Sequence, residues 1–232
     1  MGGRIILLCT LLGACGGGGG DGADAGAPDA GDCPAPAVLF MNRGGGDYTL
    51  GTEDSANNVS SIINMAQTIP AFDAMTEPQW ADLVACVGTL VAPFNIQVTE
   101  VDPAPAAHRE FLFGTDAVRA QIGLSAGISG VTPFTCPGPV PNPISWIFPF
   151  TPYDTSARAN CELVGQMIGN TFGLDHAFSC PDLMTYLSDC GDKSYTDEDV
   201  QCGEFEARAC QCGGDTQNAY QKILSLAGPA CP

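Results

Sequence analysis

Only two histidines, His108 and His176, occur in the 232 residues of this chain. A zinc site built from three imidazoles is therefore excluded within one copy. The residues whose spacing suits chemistry run from Asn160 to Tyr186. Gln166 and Asn170 stand four apart, the interval at which two side chains share a helix face and can hold one ion. Both are neutral amides, however, and amide oxygens are poor zinc ligands beside imidazole. Met167 cannot take a proton at any pH. Gly173 permits a sharp turn, and His176 follows three residues later. His176 is expected to be a hydrogen-bonded structural residue, with weak metal binding beside Asp175 or Asp182 as the alternative. Met184 reads as core packing beneath such a site.

Other candidates carry less chemistry. His108 sits in the connection Pro103–Ala107 before a strand and reads as a loop histidine. Glu162, one turn before Gln166, reads as a solvated or capping charge. The acidic run Asp189, Asp192, Asp197, Glu198, Asp199, Glu204 and Glu206 raises calcium, because hard cations favour several carboxylates, but it lacks EF-hand spacing. No G-x-S-x-G elbow supports serine hydrolysis.

The frame Gln166-Met167-Ile168-Gly169-Asn170-Thr171-Phe172-Gly173-Leu174-Asp175-His176, followed by Pro181-Asp182-Leu183-Met184-Thr185-Tyr186, resembles the metzincin branch of zinc metalloproteases. That signature is H-E-x-x-H-x-x-G-x-x-H with a methionine turn downstream. The resemblance implies a zincin fold over residues 37–227, a zinc ion and peptide hydrolysis. It also implies a role for each position. Gln166 stands for the first histidine, Met167 for the glutamate base and Asn170 for the second histidine. Gly173, His176 and the methionine of the turn, Met184, are kept. General-base catalysis contributes roughly 10²–10⁴-fold, and here the metal that would activate the water has lost its ligands too. The expectation is a catalytically inactive, metalloprotease-like protein whose remnant cleft binds a peptide or protein. The alternative is an active metallopeptidase with an atypical metal site that includes His176. No cofactor is expected, with zinc or calcium as the minor alternatives.

The remaining cysteines point to export. Arg4 and the short apolar run Ile5–Leu12 read as a signal segment, too short to span a membrane. Leu12-Gly13-Ala14-Cys15 resembles a bacterial lipobox, which implies a signal peptide over residues 1–14 and lipidation at Cys15. Residues 15–32 hold eight Gly and four Asp and no large apolar side chain, and read as a tether. The expected site is the cell envelope, as an outer-membrane or surface lipoprotein anchored by lipid. Ten cysteines then remain, an even number suited to disulfides in an oxidising compartment: Cys33, Cys86, Cys136, Cys161, Cys180, Cys190, Cys202, Cys210, Cys212 and Cys231. Their pairing is open, although a short-range pair such as Cys180–Cys190 is reasonable. A thiolate zinc site is the rival, but no CxxC exists.

Elements must position these groups. With 8 Lys and Arg against 26 Asp and Glu, the chain carries −18 and cannot neutralise phosphates, which excludes nucleic acid. Ala37–Met41, Ile96–Val98, Glu110–Phe113 and Ile144–Phe148 read as strands. Thr76 with Gln79 forms a capping box for a helix that Pro93 stops. A short helix follows Thr115 and ends at Gly123. A second strong helix is capped by Asp154 or Thr155 and ends at Gly173, and a last one spans Thr216 to Ala227. Residues 43–58 read as loop. The order predicts an α+β domain over residues 33–232, a mixed sheet with packed helices and a loop-rich, disulfide-containing end.

Overall fold

Buried apolar alternation dictates the central element. In the segment Arg109–Phe113, Phe111 and Phe113 fall on one side and Leu112 on the other, and all three are fully buried. Such a strand must be covered on both faces. The computed structural model describes residues 33–136 and 138–231, of which those from Pro34 onward belong to one compact unit. The expected signal segment over residues 1–14, lipidation at Cys15 and the expected tether lie outside the described residues.

In chain order the elements are β1 (Ala37–Asn42), β2 (Gly46–Leu50), β3 (Val59–Ser60), β4 (Gln67–Ile69), α1 (Glu77–Val91), β5 (Ile96–Thr99), β6 (Arg109–Phe113), α2 (Asp116–Gln121), β7 (Gly130–Val131), β8 (Ile144–Ile147), α3 (Ala157–Thr171), β9 (Val200–Gln201), β10 (Thr216–Gln217) and α4 (Ala219–Ala227). The main sheet has the order β5-β1-β6-β8-β7. Its first four strands run parallel, and β7 joins β8 antiparallel at the edge. A smaller sheet has the order β3-β2-β4. The architecture is mixed α/β in three layers.

One face of the main sheet packs on α1 and α3. Leu39, Met41, Phe111 and Phe113 meet Trp80, Leu83, Val87, Val164 and Ile168 there. The other face, through Leu112, Ile144 and Trp146, meets Tyr48 and Ile69 of the small sheet and Val118 of α2. The Cys86–Cys161 disulfide bolts α1 to α3.

Local signals act where expected in α1. Thr76 is the N-cap and its reciprocal bond with Gln79 completes the capping box. Three boundaries differ from the sequence reading. Residues 43–58 are not all loop, because β2 pairs with β4 and seats Tyr48 against Trp146 at 5.6 Å between ring centroids. The N-cap of α3 is Ser156, without a side-chain bond; Thr155 instead donates to Pro152 O, and Asp154 accepts from Gln79. The last helix starts at Ala219, capped by Asn218, because Thr216 and Gln217 pair with β9.

The other disulfides are Cys136–Cys212, Cys180–Cys190 and Cys202–Cys210, and Cys33 and Cys231 are disulfide-bonded as well. The short-range pair anticipated from sequence is among them. Bonded sulfurs cannot be zinc thiolates, so the rival thiolate site is corrected for all ten. This many disulfides mark an extracytoplasmic protein. Among the described residues, no helix is long and apolar enough to cross a membrane.

Candidate functional site

The small residues of α3 allow a close approach. A Cβ on Gly165 would lie 2.6 Å from Leu183 Cδ2, and one on Gly169 would lie 2.2 Å from Met184 Sδ. The turn Asp182–Tyr186 therefore sits directly against the helix. Asp182 builds that turn rather than facing a ligand. It is fully buried, and its carboxylate accepts the Met184 N–H at 2.8 Å and the Thr196 hydroxyl. Its burial pushes its carboxyl above the usual range. Met184 is fully buried beneath α3, as core packing requires.

Gly173 ends α3 in the left-handed region at φ +80°. The N–H groups of Gly173 and Leu174 return to Asn170 O and Gly169 O, a Schellman closure that needs glycine at this position. The chain leaves it toward His176.

The three substituted positions are each committed to the protein. Gln166 is 9% exposed, and its Nε2 donates to Thr185 O at 3.0 Å. Asn170 Nδ2 donates to Leu174 O at 2.9 Å. Met167 is buried beneath β7, so close that a Cβ on Gly130 would lie 2.8 Å from its Sδ.

His176 is held by three neighbours. Its Nδ1 lies 3.0 Å from Glu204 Oε1, its ring lies 4.2 Å from that of Tyr186, and its N–H donates to Asp175 Oδ1 at 2.8 Å. Arg208 ties the group together. Its guanidinium donates to both oxygens of buried Asp175, at 2.6 and 2.9 Å, and to Glu204 Oε1 at 2.7 Å. Hydrogen bonds from Arg208 and then His176 pull the Glu204 carboxyl down to about 2. Burial alone would raise Asp175, but bonds from Arg208 and the N–H groups of Gln211 and His176 outweigh it and lower that carboxyl.

Two sets of metal-type donors come together among the described residues, Asp175 with His176 and Glu204, and Asp175 with Cys202 and Cys210. The second set is spent in the Cys202–Cys210 disulfide. In the first, Arg208 already bridges both carboxylates, so the donors fit a guanidinium better than zinc. Among the described residues, no three carboxylates of the acidic run come together. Asp197 accepts from Asn218 and Gln221, Asp192 lies 3.6 Å from Arg158, and only Glu204 of the run belongs to a donor set.

One further reading needs correction. Glu162 is not solvated; its side chain is 15% exposed and takes Arg158 Nε at 2.7 Å and the Lys193 N–H at 3.2 Å. His108 lies in the loop before β6, as read, but is buried at 3% exposure, with Nδ1 2.8 Å from Ala106 O and its ring against Phe40. A cavity of about 400 Å³ opens beside Gln166, Met167, Thr185 and Tyr186. One of about 200 Å³ opens beside Met167, Asn170, His176 and Tyr186. Gly130, Met167 and Tyr186 border both, so they form one cleft between β7 and α3. His108 borders neither chamber.

Sequence reasoning missed Arg208, Gly130 and the role of Tyr186. The available signal for Arg208 was its place four residues after Glu204, inside the Cys202–Cys210 loop. No family profile matches the chain, and the search of curated proteins found no match.

Proposed function

We propose that this chain is a catalytically silent surface lipoprotein of metzincin-like build, whose cleft between β7 and α3 binds an extended peptide or a segment of a partner protein. One observation carries the reading. At the positions where a metal-dependent peptidase needs two ligands and a base, Gln166 and Asn170 bond backbone carbonyls and Met167 packs under Gly130. None of these three positions then supplies a metal ligand or a base. The turn at Gly173 and the buried Met184 support the scaffold. The disulfides support export, and lipidation at Cys15 would anchor the domain to a membrane.

The competing reading is hydrolysis through a metal held by His176 with Asp175 and Glu204, whose donor atoms do lie together. Arg208 speaks against it. Metal content of the purified, oxidised chain decides between them. We expect no stoichiometric zinc and no chelator-sensitive peptide cleavage. About one zinc per chain, lost in His176→Ala together with cleavage, would sink the silent reading.

A further inference from the structure

We propose that the guanidinium of Arg208 takes the place of a metal ion. It is the built-in cation of the Asp175, His176 and Glu204 donor set, and it holds this wall of the cleft without a metal. Nothing in the assignment depends on what the cleft binds.

The donor count carries it. A guanidinium has five N–H groups, and Arg208 spends all five. Nη1 donates to Asp175 Oδ2 at 2.6 Å and to Ala209 O at 3.0 Å. Nη2 donates to Asp175 Oδ1 at 2.9 Å and to Glu204 Oε1 at 2.7 Å, and Nε donates to Glu204 Oε2 at 3.2 Å. All four oxygens of the two carboxylates therefore face one cation, as ligands face a metal. Asp175 is 4% exposed, and a carboxylate so buried needs a countercharge.

The cation also joins segments far apart in the chain. Asp175 and His176 follow the end of α3, whereas Glu204 and Arg208 belong to the Cys202–Cys210 loop. Around the junction, the Gln211 N–H donates to Asp175 Oδ2 at 2.8 Å and the Gly203 N–H to His176 O at 2.9 Å. Asp175, His176 and Gln211 border the smaller chamber, so the cross-link fixes a wall of the cleft.

The same donors would suit a small divalent cation once the guanidinium is gone. One oxygen of Asp175, one of Glu204 and one ring nitrogen of His176 lie within 4.8 Å of one another. Zinc bonds of about 2.0–2.2 Å hold tetrahedral ligands about 3.2–3.5 Å apart, so small shifts suffice. With Arg208 in place, zinc would first have to break charge-assisted bonds, each worth about tenfold or more in affinity.

The test uses the full, disulfide-bonded chain, with zinc ion alone as the probe. Arg208→Ala should bind about one zinc per chain, at least about tenfold more tightly than the wild-type chain does. His176→Ala on that background should abolish the gain. Amide hydrogen exchange gives the second readout. Gly203 and Gln211 should exchange faster in Arg208→Ala, and zinc should restore their protection there while leaving wild-type rates unchanged. A merely structural arginine would show the loosening without the rescue. Arg208→Met keeps the aliphatic stem and serves where Arg208→Ala folds poorly. If neither variant gains zinc, or zinc slows neither amide, the guanidinium does not stand in for a metal, and the silent-cleft reading is untouched. A gain that survives His176→Ala places the zinc elsewhere and overturns the assignment as well. If the wild-type chain binds zinc as tightly as the variants do, the assignment and the silent reading both fall.

Discussion

Gly169→Ala should destabilise the protein, and the sign should reverse when Met184 is shortened. In the interior of a helix the change from glycine to alanine ordinarily stabilises by about 0.5–1 kcal/mol. Here the new Cβ would stand 2.2 Å from Met184 Sδ, 3.0 Å from its Cε and 3.3 Å from Leu174 Cδ1. Carbon and sulfur need roughly 3.5–4 Å, so Met184 would have to retreat by more than about 1 Å. It has nowhere to go. It is fully buried, its N–H is held by Asp182 at 2.8 Å, and its carbonyl takes the Ala177 N–H at 3.1 Å. Overpacking of this kind costs about 1–3 kcal/mol, which leaves a net loss of about 1–2 kcal/mol and lowers Tm by roughly 2–8 °C in a domain this size. Met184→Ala alone should cost about 2–5 kcal/mol through its cavity. On that background Gly169→Ala should regain the helix propensity and stabilise. Urea unfolding of the four proteins with disulfides intact measures the cycle. If Gly169→Ala has the same effect on both backgrounds, the turn does not press on α3 and the reasoning about this seam is wrong.

Other consequences can be measured on the same protein. Gln166→Leu removes the donor to buried Thr185 O and should cost about 1–3 kcal/mol in urea unfolding; a neutral result would mean the amide is idle. The Glu204 carboxyl falls from 4.5 to about 2 on folding and Asp175 is also lowered, so their stabilisation is complete above about pH 4.5 and is lost as pH falls toward 2. Arg208→Ala should flatten that acid limb in a pH series of unfolding free energies; an unchanged limb would place its origin elsewhere. Buried Glu110 titrates the other way, since burial raises its carboxyl, so stability is lost as pH rises and Glu110→Gln should remove that loss. Replacing Cys202 and Cys210 by serine opens an eight-residue separation and should cost about 2.5 kcal/mol from chain entropy, with loosening of His176 visible in its proton resonances.

The legible parts of the fold are those that short-range rules control. The capping box of Thr76 and Gln79, the stop at Pro93 and the glycine turn at Gly173 involve groups only three to five residues apart, and all three occur as read. β2 was illegible for the opposite reason. Its five residues, GDYTL, sit in a stretch crowded with Gly, Asp and Asn that mark loop, and it becomes a strand through pairing with β4 and through the contact of Tyr48 with Trp146, 98 residues away (146 − 48). The cap of α3 failed as a prediction because Asp154 and Thr155 are drawn to Gln79 and Pro152.

The cleft divides along the same line. Two histidines, an amide at each of two ligand-like positions and a methionine beside them are facts of composition and spacing, and no folding can turn them into imidazoles or a base. The partners those groups take are matters of distance in space. Gln166 reaches Thr185 O across 19 residues and Arg208 reaches Asp175 across 33. A hydrogen bond inside a protein depends on which groups burial brings within about 3 Å, and that is set by the packing of α3, the Met184 turn and the Cys202–Cys210 loop. The chain's order therefore told which chemistry was missing, while the packed structure settled which partners the remaining groups take.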